Sequence, residues 1–234
     1  MKAFIPNLLT LLNLFSGAIA VIFAVEGALT IAALFVLLGI FFDFFDGFLA
    51  RKLKVESTLG LQLDSLADMV TSGLVPGLIM FQLLSLSISG SGYNMDLLPY
   101  TGLLITLGSA YRLANFNIIV DQKNYFTGLP TPANALLILS FPMILEYQNN
   151  EAFNFIILNP WFLLAFTLTS TVLLNSPVKF ITLKFQTWKL SDNLEKYIFL
   201  ILSLVFLIIF KFFGIYLIIF SYVLLSLIKP PNDV

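Results

Sequence analysis

Long apolar runs separated by short polar breaks organise the chain. They lie at about 8–25, 28–50, 65–88, 96–118, 133–148, 154–175, 196–210 and 213–229. A membrane span takes roughly 17–25 apolar residues, so each of the first six runs predicts one transmembrane helix. Residues 196–229 are too long for one straight span, and Lys211 and Gly214 interrupt them. Two short helices around a tight turn are the reading; six spans plus one long tilted helix is the alternative. The pattern predicts an all-α, polytopic membrane helix bundle of about eight transmembrane helices, a single integral-membrane domain over 1–234 that ends in a helical hairpin at about 196–229. The first run has one lysine before it and no small-residue cleavage site after it, so it reads as a span and not as a cleaved signal.

The basic residues test this count. With eight spans and a cytoplasmic N-terminus, the inner side carries Lys2, Arg51, Lys52, Lys54, Arg112, Lys123, Lys179, Lys184, Lys189, Lys196 and Lys229, and only Lys211 falls outside. The outer loops around Glu26, Ser89–Met95 and Gln148–Glu151 carry no Lys or Arg. That asymmetry is the positive-inside pattern. The polar stretch at about 176–195 reads as a charged cytoplasmic connection, with binding of anionic headgroups as the lesser reading.

Composition sharpens the class. Apolar residues make up 59% of the 234 and charged residues 11%, and mean hydropathy is +0.97. A soluble domain has about 25% charged residues, so a water-soluble globule is excluded. Zero cysteines exclude a disulfide scaffold. Twelve basic against thirteen acidic residues provide no basic field for nucleic acid. Zero histidines remove His-based triads, phosphohistidine and His-ligated zinc. Any chemistry must run on carboxylates.

The carboxylates cluster. Asp43 and Asp46 end one apolar run, and Asp64 and Asp68 begin the next. Spacings of three and four place each pair on one helix face, and the short connection lets the two helices pack as neighbours. An ionised Asp at mid-membrane costs about 2.5–3.5 kcal/mol on insertion scales, and four together repel. Arg51 offsets one, while Lys52 and Lys54 point to water. The remaining charge calls for hard divalent cations with oxygen ligands, Mg²⁺ or Mn²⁺. Gly47 and Ala50 remove bulk beside the carboxylates, either for a ligand or for close helix packing. Arg112, near the inner end of a span, reads equally as a topology anchor or as a contact for phosphate or an amino-acid carboxylate. Gly128 to Pro132 form a rigid turn entering the fifth span, and Gly73, Pro76 and Gly77 a kink and packing site in the third.

Asp43, Asp46, Gly47, Ala50, Arg51, Gly60, Asp64 and Asp68 reproduce D-x-x-D-G-x-x-A-R-x8-G-x3-D-x3-D, and in this the chain resembles the CDP-alcohol phosphatidyltransferase family. The resemblance implies a six-helix catalytic core, here about 1–175, and a two-metal site of Asp43, Asp46, Asp64 and Asp68, with Asp68 as general base. It implies a CDP-lipid contact through Gly47, Ala50, Arg51, Ser57 and Gly60. Residues 5–17, 111–117 and 127–135 resemble the bacterial and archaeal phosphatidylserine synthase branch, except that Asn115 stands where that branch has arginine. Arg112, Asn115 and Asn117 are then the acceptor or phosphate contacts. The implied partners are CDP-diacylglycerol, L-serine, membrane lipids and a second copy of the chain. The implied products are phosphatidylserine and CMP, at the cytoplasmic membrane with the site facing inward. Glycerol 3-phosphate or inositol phosphate is the alternative acceptor. A divalent-cation transporter or a non-catalytic lipid-binding scaffold is the reading outside this class.

Overall fold

The computed structural model describes residues 4–91, 95–118, 125–148, 150–181 and 193–228. The expected loops around 92, 123 and 185, with Lys2, Lys123, Lys184, Lys189 and Lys229, lie outside the described residues. The elements run α1 (Phe4–Val25), α2 (Leu29–Leu53), α3 (Thr58–Asp68), a π-helical turn (Met69–Leu74), α4 (Val75–Ser91), a 3-10 turn (Leu98–Leu103), α5 (Leu104–Ile118), β1 (Tyr125–Thr127), α6 (Thr131–Tyr147), α7 (Glu151–Ile157), α8 (Pro160–Leu174), β2 (Lys179–Ile181) and α9 (Leu194–Ile228). The architecture is an all-α bundle with one two-stranded ribbon, β1 antiparallel to β2.

The packing is inverted relative to a soluble protein. The buried residues of α1 are Pro6, Thr10, Asn13, Ser16, Gly17, Ala20 and Ala24, while Phe4, Leu8, Leu11, Phe15 and Ile22 face outward. Lipid tails are as apolar as leucine, so helices in a bilayer associate through small and polar residues and turn large apolar ones to the lipid. The interior nearer the other end is aliphatic: Ala20, Ala24, Ala32, Ala33 and Val36 pack with Val75, Ile79, Leu83 and Ile138.

By length and composition, four described stretches suffice to cross a membrane: 4–25, 29–53, 58–89 and 196–228. They are five if α7 and α8, bent by 60°, form one span. The difference from eight lies in short elements. The fourth run holds a 15-residue α5 extended by a 3-10 turn, and α6 has 17 residues. Nor is α9 straight. Lys211 leaves helical geometry, with φ 51° and ψ −123°. The rings of Phe199 and Tyr222 lie 6.1 Å apart, although a straight helix would separate them by about 35 Å. A side chain at Gly214 would strike the Phe206 backbone. The chain therefore reverses at Lys211, and Gln148 bridges the reversal: its Nε2 donates to Phe210 O and its Oε1 accepts from Phe213 N, both at 3.0 Å.

The third run starts earlier than expected, at Thr58, because Ser57 caps the helix by accepting from Gly60 N at 3.0 Å. Within this span Pro76 cannot bond back to Ser72, and the backbone opens into the π turn just before it, where Val75 N bonds Val70 O. Gly73 and Gly77 face Ser109 and Thr106 of α5, so this segment is the close packing site that its small residues predicted.

Candidate active site

Helix ends set up the site. Lys54 adopts a left-handed conformation (φ 55°), and Lys54 N and Val55 N bond back to Arg51 O and Ala50 O. This stop turns the chain from α2 into α3 within four residues; the two helices do not pack closely on each other as their short connection suggested, and α1 packs against both. Asp43, Asp46 and Asp64 then each present a carboxylate oxygen within 4.8 Å of the other two. Asp68, one turn further along α3, is buried with 8% exposure.

Helix α1 supplies partners that the sequence reading left unassigned. Thr10 Oγ1 donates to Asp46 Oδ2 at 2.6 Å, and Asn13 Nδ2 donates to Asp68 Oδ1 at 3.3 Å. Asp46, Thr10 and Asn13 are all buried. The signal was present: Asn7, Thr10, Asn13 and Ser16 recur every three residues along an otherwise Leu- and Phe-rich helix, a polar stripe that a lipid-embedded helix keeps only on an interior face.

The other sequence-predicted residues fall around this cluster unequally. Arg51 is exposed, and its guanidinium lies back over Gly47, where a Cβ would come within 3.3 Å of Nη1. Lys52 and Lys54 are exposed. Ser57 and Gly60 form the α3 cap, so the Ser57 oxygen is already an acceptor. Ala50 is half-buried on α2. Asn117 joins the site region by exchanging hydrogen bonds with Ser65, the neighbour of Asp64. Asn115 is exposed, and its side chain makes no hydrogen bond among the described residues. Arg112 is buried with 8% exposure and donates from Nη1 to Thr131 Oγ1 at 3.0 Å. Thr131 is set by the Gly128–Pro132 turn: Gly128 has φ 75°, and Leu129 N bonds Leu173 O.

The donor set fits a divalent metal. Three carboxylates converge, with Asp68 one turn beyond Asp64, so their charge needs compensation, and hard oxygen donors match a hard dication. Fold and site together define an integral membrane protein with a carboxylate-only cluster whose donors suit a divalent cation. A family model described as CDP-alcohol phosphatidyltransferase matches residues 3–173, and the chain belongs to that family. It is similar to the archaetidylserine synthase of Methanothermobacter thermautotrophicus, 33% identical over 150 residues, which span 63% of this chain and 61% of the relative. It is also similar to two proteins named CDP-diacylglycerol–serine O-phosphatidyltransferase. The one from Bacillus subtilis is 35% identical over 144 residues, 59% of this chain and 76% of that one. The one from Helicobacter pylori strain 26695 is 29% identical over 226 residues, 91% and 87%.

Proposed function

We propose that the chain transfers the phosphatidyl group of CDP-diacylglycerol to the hydroxyl of L-serine, giving phosphatidylserine and CMP. The observation that carries this reading is the carboxylate cluster of Asp43, Asp46 and Asp64 with Asp68 beside it, in a chain of this family whose named relatives act on serine.

Asp43, Asp46, Asp64 and Asp68 would hold two divalent ions, Mg²⁺ or Mn²⁺, which when bound neutralise the pyrophosphate and stabilise the departing phosphate. The chain's own groups do the rest. Gly47 and Ala50 leave one face of α2 without bulk, and Arg51, folded over Gly47, offers its guanidinium to the CDP phosphates. At the α3 cap, Gly60 leaves room beside Ser57, and the Ser57 O–H remains a donor for phosphate while its oxygen holds Gly60 N. Asn13 fixes one oxygen of Asp68, which leaves the other to take the serine hydroxyl proton as that oxygen bonds to the lipid-side phosphorus. The bond from that phosphorus to the bridging oxygen breaks, and CMP leaves with the electron pair. If Asp68 also held a metal it would be a weak base, so its uptake of the proton would accompany attack. With no histidine in the chain, direct displacement is favoured over a phosphohistidine enzyme.

The basic residues Arg51, Lys52 and Lys54 near the α2–α3 junction support a site that faces inward at the cytoplasmic membrane. The test is product identification. Purified protein in lipid nanodiscs, given CDP-diacylglycerol and separately L-serine, glycerol 3-phosphate or inositol phosphate, is expected to make phosphatidylserine alone. Transfer only to a phosphorylated alcohol would overturn the reading.

A further inference from the structure

The buried face of α1 holds the third span just beyond its last aspartate. Thr71 lies in the π-helical turn, three residues past Asp68, and is fully buried. Its Oγ1 donates to Asn13 O at 3.2 Å, and Asn13 Nδ2 donates to Asp68 Oδ1 at 3.3 Å. Asp68, Asn13 and Thr71 therefore close a ring: one side is the backbone from 68 to 71, the other is Asn13 of α1.

Two glycines are shaped around this ring. A Cβ at Gly17 of α1 would strike Thr71 Oγ1. One at Gly39 of α2 would lie 2.6 Å from Thr71 Cγ2 and 2.7 Å from Asn13 Oδ1. Both helices thus give up a side chain to seat Thr71, and α2 gives the same space to the Asn13 amide. Asn13 Oδ1 is buried without a hydrogen-bond partner, which is uncommon in a native interior. The carboxylate explains it: Asp68 takes the amide donor, and the reversed amide would set oxygen against oxygen.

The Thr71 bond is not required to satisfy the backbone. Asn13 O lies inside α1, where Gly17 N, four residues on, is its helical donor. Deleting the Thr71 hydroxyl leaves no orphan carbonyl, so the bond bears on where Asn13 sits and not on whether α1 forms.

Resting on the reading of Asp68 as the general base, we propose that Thr71 is a positioning residue for Asp68 that acts through Asn13. Seated between Gly17 and Gly39, Thr71 holds the α1 backbone at the level where the Asn13 amide meets Asp68 Oδ1, and so keeps the other Asp68 oxygen free for the acceptor hydroxyl. Asp43, Asp46 and Asp64 lie outside the ring, so Thr71 governs the rate of transfer and not the binding of metal or CDP-lipid.

The test is a double-mutant cycle in nanodiscs, read as CMP release with L-serine, or with whichever of the acceptors above the wild type uses. Thr71→Val keeps the shape and deletes the donor. It is expected to lower kcat about 3–10-fold, the value of one neutral hydrogen bond, with the CDP-diacylglycerol KM and the Mn²⁺ half-saturation unchanged. Thr71→Ser keeps the hydroxyl, loses the methyl that faces Gly39, and is expected to restore most of kcat. In an Asn13→Leu background, Thr71→Val is expected to lower kcat no further, because the side chain it positions is gone. Losses that multiply overturn the proposal. So does wild-type kcat in Thr71→Val, a measurement that needs no second variant, and so does a CDP-diacylglycerol KM that rises as kcat falls, which is the mark of a packing residue. Near-normal turnover in Asp68→Asn sinks the base reading and this proposal with it, whereas a large Asp68→Asn loss beside multiplying effects of Thr71 and Asn13 sinks the proposal alone.

Discussion

Thr10 donates its hydroxyl to Asp46 at 2.6 Å, across 36 residues of sequence and between two helices, at a point where both side chains are buried. A hydrogen bond to a carboxylate fixes which oxygen faces the cluster, and such outer partners typically govern metal affinity or activity by about 10–100-fold. Thr10→Val keeps the shape and deletes the donor. It is expected to raise the Mn²⁺ concentration for half-maximal CMP release by that factor, and Thr10→Ser is expected to stay near wild type. An unchanged Mn²⁺ titration for Thr10→Val would show that Asp46 is oriented without it.

Metal removal tests the cluster as a whole. Three carboxylates within 4.8 Å of one another repel an incoming pyrophosphate unless cations intervene. CMP release is expected to stop in excess chelator and to return with Mg²⁺ or Mn²⁺. Full turnover in chelator would end the two-metal reading.

The signature aspartates, their shared helix faces and the membrane class were legible because each rests on local spacing: three and four residues along a helix, about twenty along a span. The contacts from α1 were not. Thr10 and Asn13 reach Asp46 and Asp68 over 36 and 55 residues, and no local period reports which helix a polar stripe will face. Ser57 shows the opposite limit. Its helix-capping role was open to local reading, because serine is a preferred residue just before a helix, but the apolar pattern put the helix start at 65. The β1–β2 ribbon escaped for a simpler reason. Three-residue strands carry no periodicity, and Phe180 is buried there by distant residues, Tyr222 of α9 at 5.5 Å together with Leu129, Phe199 and Ile219.

Gln148 and the reversal in α9 give a stability prediction. The Gln148 amide pairs with both backbone groups left open where the helix breaks. Gln148→Leu leaves them to water at a partly exposed site, at a cost of about 1–2 kcal/mol, or roughly 2–8 °C in Tm for a chain of this size. Thermal unfolding in nanodiscs is expected to show that drop with turnover at 25 °C preserved. An unchanged Tm would mean that packing of Gly214 against Phe206 holds the reversal without the bridge.

Orientation is accessible because the chain has no cysteine. Single cysteines at Val55 and Asn150 are expected to label from the cytoplasmic and the external side respectively with a membrane-impermeant maleimide. Labelling of position 150 from the inside alone would contradict the inward-facing site.

The sharpest separation is between Asp68 and the three converging carboxylates. Asp68 is buried and held by Asn13 through one oxygen, and it stands beside the trio of Asp43, Asp46 and Asp64. Asp68→Asn keeps the shape and one ligand oxygen but accepts no proton. Turnover is expected to fall by about 10²–10⁴-fold, the usual loss for a general base, while CDP-diacylglycerol affinity at saturating Mn²⁺ stays close to wild type. Asp43→Asn and Asp64→Asn are expected to weaken Mn²⁺ and CDP-diacylglycerol binding together, because each removes charge from the cluster that faces the pyrophosphate. The measurement pairs single-turnover CMP release with equilibrium binding of CDP-diacylglycerol for all three variants. Near-normal turnover in Asp68→Asn would show that the proton leaves by another path, such as the substrate phosphate. Affinity lost in step with turnover would make Asp68 a ligand like the others, and its separation from the converging trio would then have no chemical consequence.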